Sequence, residues 1–386
     1  MNEEMTPDYM TGTPNTVCAD ARRQFSRIGL MFLFGTALIY GVQFGASAIA
    51  NAINPDLLSS TSYALLIVMI PMYVIAMPIM ALLIKRIPAV TLPKKHMTFG
   101  QWLIAFLMCY GAMYVSNYTG LILTQLISIL KGSPVTNTML EVATSSNLWV
   151  NLFIMVLCAP VAEELIFRKL LIDRLAQYGE GVAVLFSGLM FGLFHGNLNQ
   201  FVYAFVLGLC FGFIYVKTGN IRYTIGLHML VNFLGSVLGV AILKWLGDDF
   251  LSIASDPAGM MSYMTGNFGK LIVYFIYIFL LLGVAIAGII LFRQAEENPL
   301  PAWNEHASKR KTLFHNRVKR WNGSLHDRLD RDYHCTALAI MKKAAAGIPF
   351  YRFYSCDSFY YAIFTALSRS FSNFPRSAHP VHLRCS

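Results

Sequence analysis

Residues Ala159–Arg174 read A-P-V-A-E-E-L-I-F-R-K-L-L-I-D-R. The stretch continues an apolar run that begins near Leu148, and it sets Glu163 and Glu164 side by side well inside that run. No other acidic residue of the chain lies so deep in an apolar stretch. A carboxylate in hydrocarbon costs roughly 2.5–3.5 kcal/mol on insertion scales. Two adjacent ones need either a neutralising neighbour or a wet cavity in which they do chemistry.

The surroundings are those of a membrane protein. The chain has 386 residues, 56% of them hydrophobic and 13% charged, with a mean hydropathy of +0.54. A soluble domain carries about 25% charge. Apolar runs cover approximately 28–49, 62–84, 102–129, 148–172, 182–198, 200–216, 223–243 and 271–292. The fold class expected is all-α, a polytopic membrane protein with about eight transmembrane helices. The alternating segments of a transmembrane barrel are not visible. The stretches 131–146 and 244–270 read as loops. The first twenty residues are polar and acidic, so a secretory signal peptide is not expected and the first span acts as the insertion signal.

Basic residues alternate along the chain. They fall in the leader (Arg22, Arg23, Arg27), after the second, fourth and sixth runs, and after the last. Lys and Arg favour the cytoplasmic side, so the expectation is a multi-pass protein of the cell membrane with both termini cytoplasmic. Three regions follow: a polar cytoplasmic leader, 1–27; a membrane-embedded domain, 28–293, with its motif core at 148–239; and a basic tail, 294–386. From Arg293 onward 15 Lys/Arg stand against 7 Asp/Glu, which is +8 of the total +10. The tail shows no clean period and reads as disordered, surface-lying or out of frame. Its charge is not read as a nucleic-acid site; the partners expected are membrane lipid and a peptide or protein substrate in the membrane. The seven cysteines are scattered without a C-x-x-C pair, so neither a disulfide framework nor a zinc ribbon is indicated.

Polar groups inside the runs sort by spacing. Glu164 and Arg168 are i and i+4, share a helix face, and can neutralise each other. Arg168 can also be read as a cytoplasmic anchor that snorkels. Glu163 is turned by about 100° from Glu164 and has Ile166 and Phe167 at i+3 and i+4, so it is the carboxylate left free to work. His195 lies in F-G-L-F-H-G-N-L-N-Q, and His228 and Asn232 lie one turn apart in H-M-L-V-N. Of nine histidines, only His195 and His228 fall in apolar runs. Two histidines and a free carboxylate can bind Zn²⁺ through His195, His228 and Glu163 and turn its water into hydroxide. Without metal, Glu163 is a general base, His195 positions the water, and His228 and Asn232 donate to an oxyanion. Both routes hydrolyse a peptide bond. H-E-x-x-H and G-x-S-x-G are absent, against a zincin helix and a serine nucleophile of that type. Asn199 and Gln200 read as interface residues. Gly188, Gly192, Gly208 and Gly212 read as a close helix crossing.

E-E-L-I-F-R, F-G-L-F-H and H-M-L-V-N together resemble the three motifs of the CPBP family, the CAAX proteases and bacteriocin-processing enzymes also called the Abi family: E-E-x-x-x-R, F-x-x-x-H and H-x-x-x-N. All three stand in order on successive apolar runs. The resemblance covers about 148–239 and not the tail. It implies an eight-helix membrane endopeptidase similar to type II CAAX prenyl endopeptidases, labelled metalloproteases, with zinc as the metal in question. By motif position Glu163 matches the catalytic base, Glu164 and Arg168 complete the first motif, His195 matches the second, and His228 and Asn232 match the third. Some members of the family are linked with bacteriocin maturation or self-immunity. The rivals are a non-catalytic scaffold or bacteriocin self-immunity protein with the same fold, and a transporter using Glu163 and the histidines; a transporter should show internal repeats, and none is found. Counting along the runs puts Glu163 and His228 in the cytoplasmic half and His195 nearer the opposite side.

Overall fold

The computed structural model describes residues 14–133, 135, 137–247, 250–253 and 256–297. Among them every regular element is helical. In chain order these are α1 (Pro14–Ile53), α2 (Thr61–Lys85), α3 (Phe99–Lys131), α4 (Thr138–Ser145), α5 (Leu148–Tyr178), α6 (Glu180–Phe194), α7 (Leu198–Thr218), α8 (Ile221–Leu246), α9 (Phe250–Ile253) and α10 (Pro257–Glu297). All but α4, α6 and α9 are long and apolar enough to cross a membrane, seven helices in all. The protein is thus an all-α polytopic membrane protein. Residues 32–292 form one compact unit, and everything below lies within it. The remaining described residues, 14–31 and 293–297, are helical ends of α1 and α10. The tail read at 294–386 lies outside the described residues beyond Glu297.

Local chemistry explains the boundaries. Thr98 and Gln101 form a reciprocal cap at the start of α3, and Gly132 closes it with φ +71°, a conformation that only glycine adopts without strain. Asn137, Asn147, Asn197 and Asn220 cap α4, α5, α7 and α8 through their side chains. The stretch 244–270 is not a loop as the sequence suggests. Asp256 accepts hydrogen bonds from the backbone N–H groups of Ala258 and Gly259, and Pro257 occupies the first helical position, so α10 begins well before its apolar run. The same device, Asn137 accepting from Leu140 N–H, makes α4 out of the polar stretch after α3.

α2, α5 and α8 carry π-helical turns, that of α8 at Phe233–Gly239, directly after Asn232. One follows Pro71, at Met72–Ala76. Two others, Leu152–Cys158 and Leu165–Ile172, flank the six-residue segment Ala159–Glu164. π turns are rare and concentrate at functional sites. Here they bracket the two carboxylates.

α6 and α7 form a hairpin packed backbone to backbone. A Cβ added to Gly208 would lie 2.7 Å from Gly188 Cα, and one on Gly192 would lie 3.0 Å from the Phe201 carbonyl oxygen. Only glycine permits that approach. α3 closes on α7 from another side, with Cys109 of α3 and Cys210 of α7 both fully buried. A segment between α2 and α3 runs across the ends of α5 and α7: Val90 N–H donates to the Asp173 carbonyl and Lys95 N–H to the Thr218 carbonyl, each at 2.7 Å.

Candidate active site

The site is built where α5, α6, α7 and α8 meet. Glu164 and Arg168 are both completely buried, with Arg168 Nε 3.1 Å from Glu164 Oε2. The pair is close but poorly aligned, so none of the three guanidinium nitrogens makes a hydrogen bond and the contact is Coulombic. The guanidinium carbon instead lies 4.3 Å from the centre of the Phe191 ring and 5.5 Å from that of Phe211. Two π faces substitute for missing acceptors, an arrangement worth about 2 kcal/mol when desolvated. Arg168 is therefore no snorkelling anchor. It is locked in the bundle interior.

Glu164 is shared. Its Oε1 accepts from His228 Nδ1 at 3.1 Å, and this fixes the plane of a ring that is nearly fully buried. The other ring nitrogen, Nε2, lies 3.8 Å from Glu163 Oε2. The two adjacent glutamates thus grip opposite edges of one imidazole. Glu163 keeps 13% side-chain exposure, against none for Glu164, so the two differ in accessibility as well as in pairing. Asn232, one turn after His228, donates Nδ2 to the Met155 carbonyl at 2.8 Å. That carbonyl lies in the π turn preceding the carboxylates, and the bond pins α8 to α5.

His195 ends α6, and its Nδ1 lies 2.8 Å from the Phe191 carbonyl oxygen one turn back. With Nδ1 donating there, Nε2 remains an acceptor for water. Residue counting sets His195 nearer the far side, yet Phe191 at the end of α6 stands edge-on to both His195 and His228. α6 has 15 residues and is about 22 Å long, less than the roughly 30 Å hydrocarbon thickness. Its end stops short and brings His195 into the group.

Phe191 is the residue that sequence reasoning left without a role. Its ring contacts Arg168 and stands edge-on to His195 (4.9 Å between centroids) and to His228 (5.7 Å), while its carbonyl holds His195. The signal was in F-x-x-x-H itself, where the aromatic sits one turn before the histidine. Gln200, read as an interface residue, is buried and donates Nε2 to the Tyr203 hydroxyl at 2.8 Å.

Glu163, His195 and His228 are zinc-type donors. Among the described residues, however, no group of three or more His, Cys, Asp or Glu side chains forms a metal-holding cluster. The Nδ1 atoms of His228 and His195 are taken by Glu164 and by the Phe191 carbonyl, which leaves the two Nε2 atoms and Glu163 as the donors that would hold a metal. These donors are not gathered into a metal-holding cluster among the described residues, and no step is derived through a metal.

A buried ion pair, two oriented histidines and a less buried carboxylate inside a helical membrane bundle define the class: a multi-pass membrane protein with a carboxylate–histidine centre. Residues 145–234 match the family model described as "Type II CAAX prenyl endopeptidase Rce1-like". The chain is similar to a Bacillus subtilis (strain 168) protein named as a membrane peptidase, YdiL, with 28% identity over 168 residues, 41% of this chain and 66% of the relative. It is also similar to the membrane-embedded CAAX protease MroQ of Staphylococcus aureus (strain USA300), with 26% identity over 180 residues, 45% of this chain and 68% of the relative. The chain therefore spans about two thirds of each of these two relatives. No solved structure matches it.

Proposed function

We propose that the protein is an intramembrane endopeptidase that hydrolyses a peptide bond of a membrane-associated substrate, prenylated or bacteriocin-like, with water activated by Glu163. The observation that carries this reading is the single imidazole gripped by two unlike glutamates: Glu164 at 3.1 Å, fully buried and paired with Arg168, and Glu163 at 3.8 Å, less buried and without a cationic partner on its own helix. A structural pair would need only one carboxylate. The second is left for chemistry.

In the mechanism, Glu163 takes the proton from a water that His195 Nε2 orients, and the hydroxide attacks the scissile carbonyl. His228, when protonated at Nε2, donates to the developing oxyanion, as does the second N–H of Asn232 Nδ2; its first is bound to Met155. Glu163 then returns its proton to the leaving amine. Glu164 and Arg168 do not touch substrate; they orient His228. Such base catalysis contributes roughly 10²–10⁴-fold, and one oxyanion donor about 10²–10³-fold. The cytoplasmic orientation of both termini is part of the proposal and rests on the Lys/Arg distribution.

The test is cleavage of a panel of labelled peptides, prenylated and unmodified, by purified protein in detergent, with and without a zinc chelator, for wild type and His195→Ala. Cleavage that survives the chelator and is lost in His195→Ala supports water activated by glutamate. Cleavage abolished by the chelator restores the zinc route. Cleavage of no peptide by folded wild type favours the scaffold or self-immunity reading.

A further inference from the structure

α7 presents a stripe to the carboxylate helix. Phe211 lies on it, in contact with both Arg168 and His228, and Leu207 and Tyr203 precede it at four-residue steps, so they share that face. Tyr203 stands about 12 Å up the helix from Phe211, at the end where His195 lies. It belongs to no motif named above.

A continuous hydrogen-bond chain aims its hydroxyl. Asn197 Nδ2 donates to the His195 carbonyl at 3.1 Å and also to Gln200 Oε1. Asn197 Oδ1 accepts from Gln200 N–H at 2.9 Å. Gln200 Nε2 donates to the Tyr203 hydroxyl oxygen at 2.8 Å. Gln200 is 8% exposed, so the chain runs in the interior. With its oxygen accepting from Gln200, the phenol has its own O–H left over, and no acceptor for that proton stands among the described residues. Tyr203 is partly exposed, so a hydroxyl fixed in this way beside the site is open to an acceptor that a ligand supplies.

We propose that Tyr203 is a further substrate-contacting residue: its O–H donates to a backbone carbonyl of the peptide lying across Glu163, with Gln200 and Asn197 as positioning residues that tie it to His195. The ligand is an extended peptide segment, whose carbonyls are the acceptors at hand once water is displaced. This rests on the protease reading above.

Tyr203→Phe removes one oxygen and keeps the ring, so packing is preserved. The probe is a fluorescently labelled farnesylated peptide, with binding measured on the Glu163→Gln protein so that turnover plays no part. Tyr203→Phe in that background is expected to weaken binding about tenfold with an unchanged thermal midpoint. Gln200→Met is expected to give a smaller loss, and the two together no more than Tyr203→Phe alone, because Gln200 acts only through the phenol. A Kd within twofold of the parent, or no saturable binding by the parent, overturns the proposal. If Tyr203→Phe weakens binding but Glu163→Gln still cleaves, the peptide contact stands and the catalytic reading of Glu163 is what fails.

Discussion

Arg168→Met removes the one cation from a fully buried carboxylate while keeping most of the side-chain volume. Two unit charges 3.1 Å apart attract by about 5 kcal/mol at an effective dielectric of 20. Part of this is offset because Glu164 keeps its hydrogen bond from His228. Removing one member of a buried pair costs about 3–5 kcal/mol in general, and the variant should lose stability in that range. Glu164→Gln/Arg168→Met removes both charges and should recover much of the loss, since neutral groups of similar size need no ion partner. A double-mutant cycle on thermal or denaturant unfolding in detergent, with Glu164→Gln as the fourth corner, should give a coupling energy of about 3 kcal/mol. The double variant should also lose cleavage, because His228 loses the carboxylate that orients it. A single Arg168→Met with wild-type stability would refute the buried-pair reasoning, and so would a double variant less stable than both singles.

Two further predictions address the frame around the pair. Gly208→Ala puts a methyl 2.7 Å from Gly188 Cα and should cost about 1–3 kcal/mol by overpacking, whereas Gly41→Ala, with nothing within 4 Å of the added carbon, should be neutral or stabilising by up to about 1 kcal/mol; melting curves of the two variants decide it. Phe191→Leu removes the ring face from Arg168 and the edge contacts from both histidines. It should lower kcat about tenfold or more with a smaller change in KM, and a loss confined to stability would contradict that.

Much of this was legible in the sequence because the informative residues obey short-range rules. Glu164 and Arg168 meet because i and i+4 share a face. The free standing of Glu163 follows from the apolar residues at its own i+3 and i+4 positions. The glycine crossing of α6 and α7 follows from four-residue spacing. The sequence was less informative where geometry depends on helix shape or on contacts between helices. The shortness of α6, Glu180–Phe194 against an apolar run of 182–198, was not legible in a residue count. The π turns flanking Ala159–Glu164 depend on packing, and periodicity does not announce them. That one imidazole is held by two glutamates of another helix, 64 residues away for Glu164, is a tertiary fact. So is the π cradle around Arg168, although Phe191 stood in the motif from the start. Start signals for α4 and α10 were present, as Asn137 and Asp256-Pro257, but were outweighed by the polarity around them.

The central claim is that Glu163, and not its neighbour's ion pair, activates water. The most direct measurement is the cleavage rate of Glu163→Gln against wild type on the same peptide, with melting curves to show that both are folded. The account predicts a fall in kcat of roughly 10²–10⁴-fold with stability little changed, because Glu163 has no cationic partner on α5 to lose. A folded Glu163→Gln protein that cleaves at the wild-type rate would contradict it.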